Sequence, residues 1–221
     1  MKKYEMTDET EICLGITLYR IRALIAFEDV KAGELGGWIE SEDNLSQEDI
    51  AWVSGSARVS GSARVSGSAR VSGSAWVSGS ASVSGSAWVS GSAWVYGFAR
   101  VYGSARVYGS ARVSGSASVS GSAWVRGSAR VSGSARVSGS AWVSGSARIE
   151  SDSDYLSIFP IGSEDGIFTA YKGEDGIECK RGCFDGTLDG FEEAVRETHG
   201  TNQTAEEYRL VIELVRLRLK G

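Results

Sequence analysis

The chain has 221 residues, 29 glycines but one proline, three cysteines and a formal net charge of −5. Abundant glycine with almost no proline argues against a collagen-like or proline-rich disordered chain, and Cys13, Cys179 and Cys183 are too few and odd in number for a disulfide framework. No apolar run approaches the roughly 20 residues that span a bilayer, and the lysines at the start have no apolar stretch behind them, so we expect a cytoplasmic chain without signal peptide, cofactor or membrane partner.

Residues 1–50 read as an N-terminal β cap. Glu11 to Leu14, a turn at Gly15, and Thr17 to Phe27 suggest a hairpin. Gly33, Gly36 and Gly37 mark turns, and Trp38-Ile39 begins irregular first coils. Such a cap would protect an open sheet edge.

From Ala51 the unit Ala-x-Val-Ser-Gly-Ser runs for sixteen full copies to Ser146 and decays in a seventeenth, Ala147 to Asp152. A fixed internal period is read before local propensity, because it decides the architecture. Ala and Val sit two apart, so on a short strand they share one side and x takes the other. Ser-Gly-Ser supplies the bend. Gly/Ser-rich chains are often flexible linkers, but here Val recurs in every copy until Ile149, and Trp or Arg fills most x positions. Stacked coils would bury Val and Ala ladders that no single copy could bury.

The pattern Val-x-Gly-x-Ala-x resembles the hexapeptide repeat of the left-handed β-helix superfamily. Val30-Lys31-Ala32-Gly33, Gly36-Gly37-Trp38-Ile39 and Asn44-Leu45-Ser46-Gln47 are similar to the segment preceding the repeats in bacterial and prophage hexapeptide-repeat proteins. Gly182 to Thr187 and Glu197 to Gly200 resemble the C-terminal region of the prophage-type members. The resemblance implies left-handed winding, three hexads per triangular coil and a phage-related origin. The expected fold is therefore an all-β solenoid over 51–152, a left-handed parallel β-helix, with the N-terminal β cap and a small α+β cap over 153–221.

With eighteen residues per coil, every third hexad stacks. One face then presents Trp52, Arg70, Trp88, Arg106, Trp124 and Trp142; the second presents Arg58, Trp76, Trp94, Arg112, Arg130 and Arg148; the third presents Arg64, Ser82, Arg100, Ser118 and Arg136. Such ladders could simply stabilise the shaft, since an exposed Arg–Trp stack contributes roughly 0.5–1 kcal/mol. They could equally form a binding surface, because Trp and Arg are enriched at interface hot spots. Tyr96, Tyr102 and Tyr108 replace the first turn serine in three consecutive hexads, and Phe98 replaces the last one in the first of these. That is either drift of the repeat or an aromatic docking girdle, with Arg126 stacked above Tyr108.

In the last part, Tyr155 to Phe159, Gly166 to Tyr171 and Gly176 to Cys179 read as strands. A helix is expected over Leu188 to Glu197, leaving His199 in a loop. A second is expected from Thr204, with Thr204 and Glu207 as a capping box. Tyr208, Val211, Ile212, Val215 and Leu219 form its apolar face, widened by Leu210, Leu214 and Leu217. That face packs on its own small domain or joins copies.

The shaft, Ala51 to Ile149, holds ten arginines and no lysine, acid or histidine, while 1–50 carries −7 and 150–221 carries −8. Hexapeptide-repeat acyltransferases use a coil histidine as general base; the one histidine here, His199, lies outside the coils. Cys179, Cys183 and His199 lack a fourth partner for zinc, and Trp and Arg deny the flat array of an ice-binding face. We therefore expect no enzyme, metal or catalytic residue. The expected function is a repeat scaffold that binds a protein partner or self-associates through Trp52, Trp88, Trp124, Trp142, Arg70, Arg106, Trp76, Trp94, Tyr96, Tyr102 and Tyr108. The alternative is nucleic acid or another polyanion along the basic shaft, by the charge-plus-stacking scheme of single-strand binders.

Overall fold

The structure, a computed structural model, describes residues 2–219. The hexads build a parallel β-solenoid of about six coils. Each copy contributes a two-residue strand of x and Val, from Trp52–Val53 to Arg148–Ile149. Partners lie eighteen residues apart: Trp52 opposes Arg70, Arg70 opposes Trp88, Trp76 opposes Trp94 and Arg100 opposes Ser118. The three faces are therefore the three ladders expected from the spacing. Ala and Val of every hexad are buried in one continuous core.

The turn glycines all have positive φ; Gly91, at +68°, is typical. Its Cα lies beneath Gly109, and the following amide, Ser92 N–H, donates to the Gly109 carbonyl at 2.8 Å. Through most of the shaft the corners stack backbone on backbone, so these glycines serve for space as well as for their dihedral angle; at Gly139, near the upper end, an added Cβ would meet nothing within 4 Å.

The coils have a polarity that the hexad alone does not reveal. Each outward strand amide donates to the coil above it, as Trp52 N–H does to the Ala69 carbonyl at 3.0 Å and Trp124 N–H to Ala141 at 2.9 Å. The N-terminal end of the shaft is thus a layer of carbonyl acceptors and the C-terminal end a layer of amide donors. Buried backbone groups need partners, so the two caps must supply opposite chemistry.

The N-terminal cap supplies donors. β1 (Tyr4–Cys13) and β2 (Ile16–Ala23) form an antiparallel hairpin with Leu14-Gly15 at its tip. The first strand begins earlier than the sequence suggests, and the second stops at Ala23 instead of Phe27. β3 (Leu35–Ile39) joins β2 to the shaft by pairing Trp38 with Arg58. Gly36 and Gly37 lie inside β3 and are not turns: a Cβ on Gly36 would come within 2.7 Å of Trp52 Cζ2, and one on Gly37 within 2.6 Å of the Ala57 carbonyl. Lys3 Nζ donates to the Asp49 and Ala51 carbonyls at 2.9 and 2.8 Å. Asn44 Nδ2 donates to Gly61 and Ala63 carbonyls, both at 2.9 Å.

The C-terminal cap supplies acceptors. Asp152 Oδ1 accepts from Arg136 N–H at 2.8 Å, and Thr169 Oγ1 from Trp142 N–H at 3.1 Å. Thr169 lies in an antiparallel sheet of β4 (Tyr155–Ile161), β5 (Gly166–Lys172), β6 (Ile177–Arg181) and β7 (Phe184–Thr187), the last unforeseen from sequence. α1 (Leu188–His199) and α2 (Gln203–Arg218) pack with this sheet around Phe168, Phe191, Tyr208 and Val215. Three expectations need correction here. α2 is capped by Asn202, whose side chain accepts from Ala205 N–H at 3.0 Å, and starts before Thr204; Glu207 instead accepts from Gly162 N–H at 3.3 Å. His199 is the last residue of α1, with its ring 5.9 Å from Tyr208. Leu210, Leu214 and Leu217 are exposed and do not extend the packed face, while Tyr208, Val211, Ile212, Val215 and Leu219 are buried as expected.

Burial sets how the caps respond to alkali. It raises the Tyr171 phenol from 10.0 to about 12 and the Cys179 thiol from 9.0 to about 12. Above pH 9 the unfolded chain therefore loses protons that the native cap retains, and stability falls as pH rises towards 12. In the N-terminal cap, burial also pushes Tyr4 well above its ordinary value, but it lowers Lys3 from 10.5 to about 8, an opposing effect that raises stability with pH between those values. We expect the C-terminal cap, which shows no such opposing group among the described residues, to loosen first. In a titration from pH 8 to 12, helical circular dichroism, which α1 and α2 supply, should decay before the β signal. Simultaneous loss would contradict this.

Candidate functional site

The charge partition seen in the sequence resolves into ion pairs at both ends of the shaft. Arg58 pairs with Glu11, and Arg70 with Glu28 and Asp29 of the N-terminal cap at 2.6 and 2.5 Å. At the other end Arg126 pairs with Asp185 at 3.0 Å, Arg136 with Asp152, and Arg148 with Glu174 at 2.6 Å. Among the described residues Arg64, Arg100, Arg106, Arg112 and Arg130 make no ion pair, and four of these five lie in the middle and upper coils. Half of the basic shaft is thus cap-docking charge.

The tryptophans divide in the same way. Trp52, expected on an exposed ladder, is buried at 2% exposure, because Phe27 and Tyr4 close over it with ring centroids 5.5 and 6.4 Å away. The loop that carries Phe27 folds back on the shaft, which periodicity within the repeats could not show. Trp142 is covered by Arg126 and Lys180, each 5.3 Å from its ring, and Asp185 lies 3.0 and 3.6 Å from those two cations. Arg126 therefore serves Trp142 and the cap, while Tyr108, below it, stacks edge-on against Trp124 at 6.0 Å. Trp52, Arg70 and Trp142 are tied to the caps.

What remains is concentrated at mid-shaft. The exposed large apolar side chains of the repeats are Trp88, Trp94, Tyr96, Phe98 and Tyr102, from 38% exposure at Tyr96 to 68% at Phe98, and all five belong to one coil. They occupy the first face, the second face and two corners. Trp94 meets Trp76 below it at 5.6 Å and Tyr96 beside it at 6.5 Å. Arg106 lies between Trp88 and Trp124, at 5.9 and 4.9 Å, and with Tyr108 and Ser90 they line a shallow depression of about 220 Å³. Arg112 lies 5.6 Å over Trp94. The belt thus combines exposed rings with guanidinium groups held in place by stacking.

A cleft of about 780 Å³ lies where the third face meets the C-terminal cap and is lined in part by Tyr102, Arg136, Asp152, Phe159 and Arg218. Its carboxylate, Asp152, accepts from the Arg136 side chain and amide, and those hydrogen bonds hold it below its ordinary pKa. A carboxylate so committed is a poor general base. Cys179 is buried and Cys183 exposed. Among the described residues no three His, Cys, Asp or Glu side chains are grouped to hold a metal, and no helix is long and apolar enough to cross a membrane.

The family model described as the YdcK beta solenoid repeat matches residues 63–79, 99–115 and 129–145, all within the shaft. The chain is thus similar to a β-solenoid repeat over these stretches, in agreement with the stacked coils. No curated protein matches the chain.

Proposed function

We propose that the protein is a non-catalytic repeat scaffold whose mid-shaft aromatic coil is a protein-contact surface, with a second copy of the chain as the first partner. The observation that carries this is the confinement of the shaft's exposed apolar side chains to the one coil from Trp88 to Tyr102. Large apolar side chains exposed at one level of an otherwise polar shaft mark contact, and Trp, Tyr and Arg are the side chains that dominate interface energies. Capped ends leave the flank of the shaft as the surface for association. The prophage-type resemblance supports a left-handed, phage-encoded scaffold.

The repeat itself supplies the test. Serine fills positions 96, 98 and 102 in the ordinary hexad, so Tyr96→Ser/Phe98→Ser/Tyr102→Ser restores the consensus without disturbing the core. In sedimentation we expect the wild type to self-associate equally at low and high salt, and the triple variant to remain monomeric. Apolar burial resists salt, whereas phosphate contacts weaken steeply with it. A monomeric wild type that binds a single-stranded oligonucleotide at low salt, and loses it at high salt, would replace this reading with the polyanion one.

A further inference from the structure

The outward ladders follow a rule with one exception. On the first face arginines are separated by tryptophan, as in Arg70–Trp88–Arg106, and on the third by serine, as in Arg64–Ser82–Arg100–Ser118–Arg136. On the second face Arg112 opposes Arg130 directly, and Arg130 opposes Arg148. Like charges directly opposed across strands about 4.8 Å apart are unfavourable. A local rule broken at one place while kept elsewhere points to function.

The surroundings agree. The three arginines line a depression of about 240 Å³ with Tyr96, Ser114 and Ser132. Arg112 is braced by Trp94, 5.6 Å away. Glu150, next to Arg148 in the chain, also lines the depression, and Glu174 pairs with Arg148 at 2.6 Å; among the described residues Arg112 and Arg130 make no ion pair, so their forks are free. Guanidinium forks bind phosphate oxygens in pairs, and serine and tyrosine hydroxyls add neutral donors.

We propose that the Arg112–Arg130–Arg148 ladder is a binding site for a phosphate or polyphosphate group. Its arginines lie on a different face from the Trp88–Arg106–Trp124 depression, while Trp94 and Tyr96 at its lower end also belong to the proposed contact coil. Trp94 and Tyr96, at its lower end, would stack a ring carried by such a ligand, so the phosphate could belong to a nucleotide or to a bare phosphate chain.

The test is calorimetric titration with pyrophosphate and with adenosine diphosphate at fixed ionic strength. Saturable binding is expected, weakened about tenfold or more by Arg130→Ser, the loss of one charge-assisted pair. Arg100→Ser removes the same charge from the third face and should leave the affinity unchanged. Diphosphate nucleotide binding tighter than pyrophosphate and weakened by Trp94→Ser would identify a nucleotide; equal affinities would identify the phosphate chain alone. No saturable binding of either probe, or equal weakening by Arg100→Ser, would overturn the site.

Discussion

Replacing Trp52 by alanine should destabilise the protein by about 3–5 kcal/mol, the usual cost of removing a buried tryptophan. Trp88→Ser, at the same position of the hexad and two coils higher on the same face, should cost about 1 kcal/mol or less. The sequence context of the two residues is nearly identical, and the difference is what covers them. Trp52 is sealed by Tyr4 and Phe27 and fills the space that Gly36 leaves open. Trp88 loses only its stack with Arg106 and gains the serine that already stands at positions 82 and 118. The indole N–H of Trp52 has no partner in its buried site, so Trp52→Phe, which keeps much of the packing and removes that unpaired donor, should fall between the two. Urea unfolding followed by circular dichroism would rank the three; equal midpoints for Trp52→Ala and Trp88→Ser would contradict the cap's role.

The second large effect is expected at the corners. Gly91→Ala should cost about 2–5 kcal/mol, combining the left-handed backbone penalty with forced separation of two coils. A Cβ on Gly91, whose φ is +68°, would lie 2.9 Å from both N and O of Gly109. Gly139 is the internal control: its φ is +67°, but nothing lies within 4 Å of its added Cβ. Gly139→Ala should therefore cost only the dihedral term, about 1–2 kcal/mol. Comparable losses in both variants would show that the glycine ladder serves conformation alone and that coil stacking adds nothing.

These two comparisons also separate what could be read from the sequence. The hexad specifies inward Ala and Val, the eighteen-residue coil and the composition of all three faces, because period and alternation are local properties that repeat seventeen times. The hairpin tip at Gly15 and the buried face of α2 were legible for the same reason. The caps were not, because their decisive contacts join residues far apart in the chain. Lys3 reaches the Ala51 carbonyl, Phe27 covers Trp52, and Arg126 and Lys180 close over Trp142. A signal for the cap ion pairs was present in the acid-free shaft between two acidic ends. It says that opposite charges are available, and only the fold says that Arg70 and Arg148 meet them while Arg112 and Arg130 do not. The aromatic girdle was visible as a departure from the repeat, but its exposure depends on cap coverage, which left the coil from Trp88 to Tyr102 as the open one.

Hydroxyl-radical footprinting across a concentration series tests most directly whether that coil is the contact surface. Trp88, Trp94, Tyr96, Phe98 and Tyr102 are all exposed and reactive side chains, as are Ile12 and Leu14 at the hairpin tip and Leu210, Leu214 and Leu217 on α2. We expect protection as the protein associates to fall on the mid-shaft aromatics of the contacting flank, while the hairpin tip and α2 retain their reactivity. Protection of the α2 leucines or the hairpin tip, with Phe98 and Trp88 unchanged, would contradict a mid-shaft interface and move the contact to a cap.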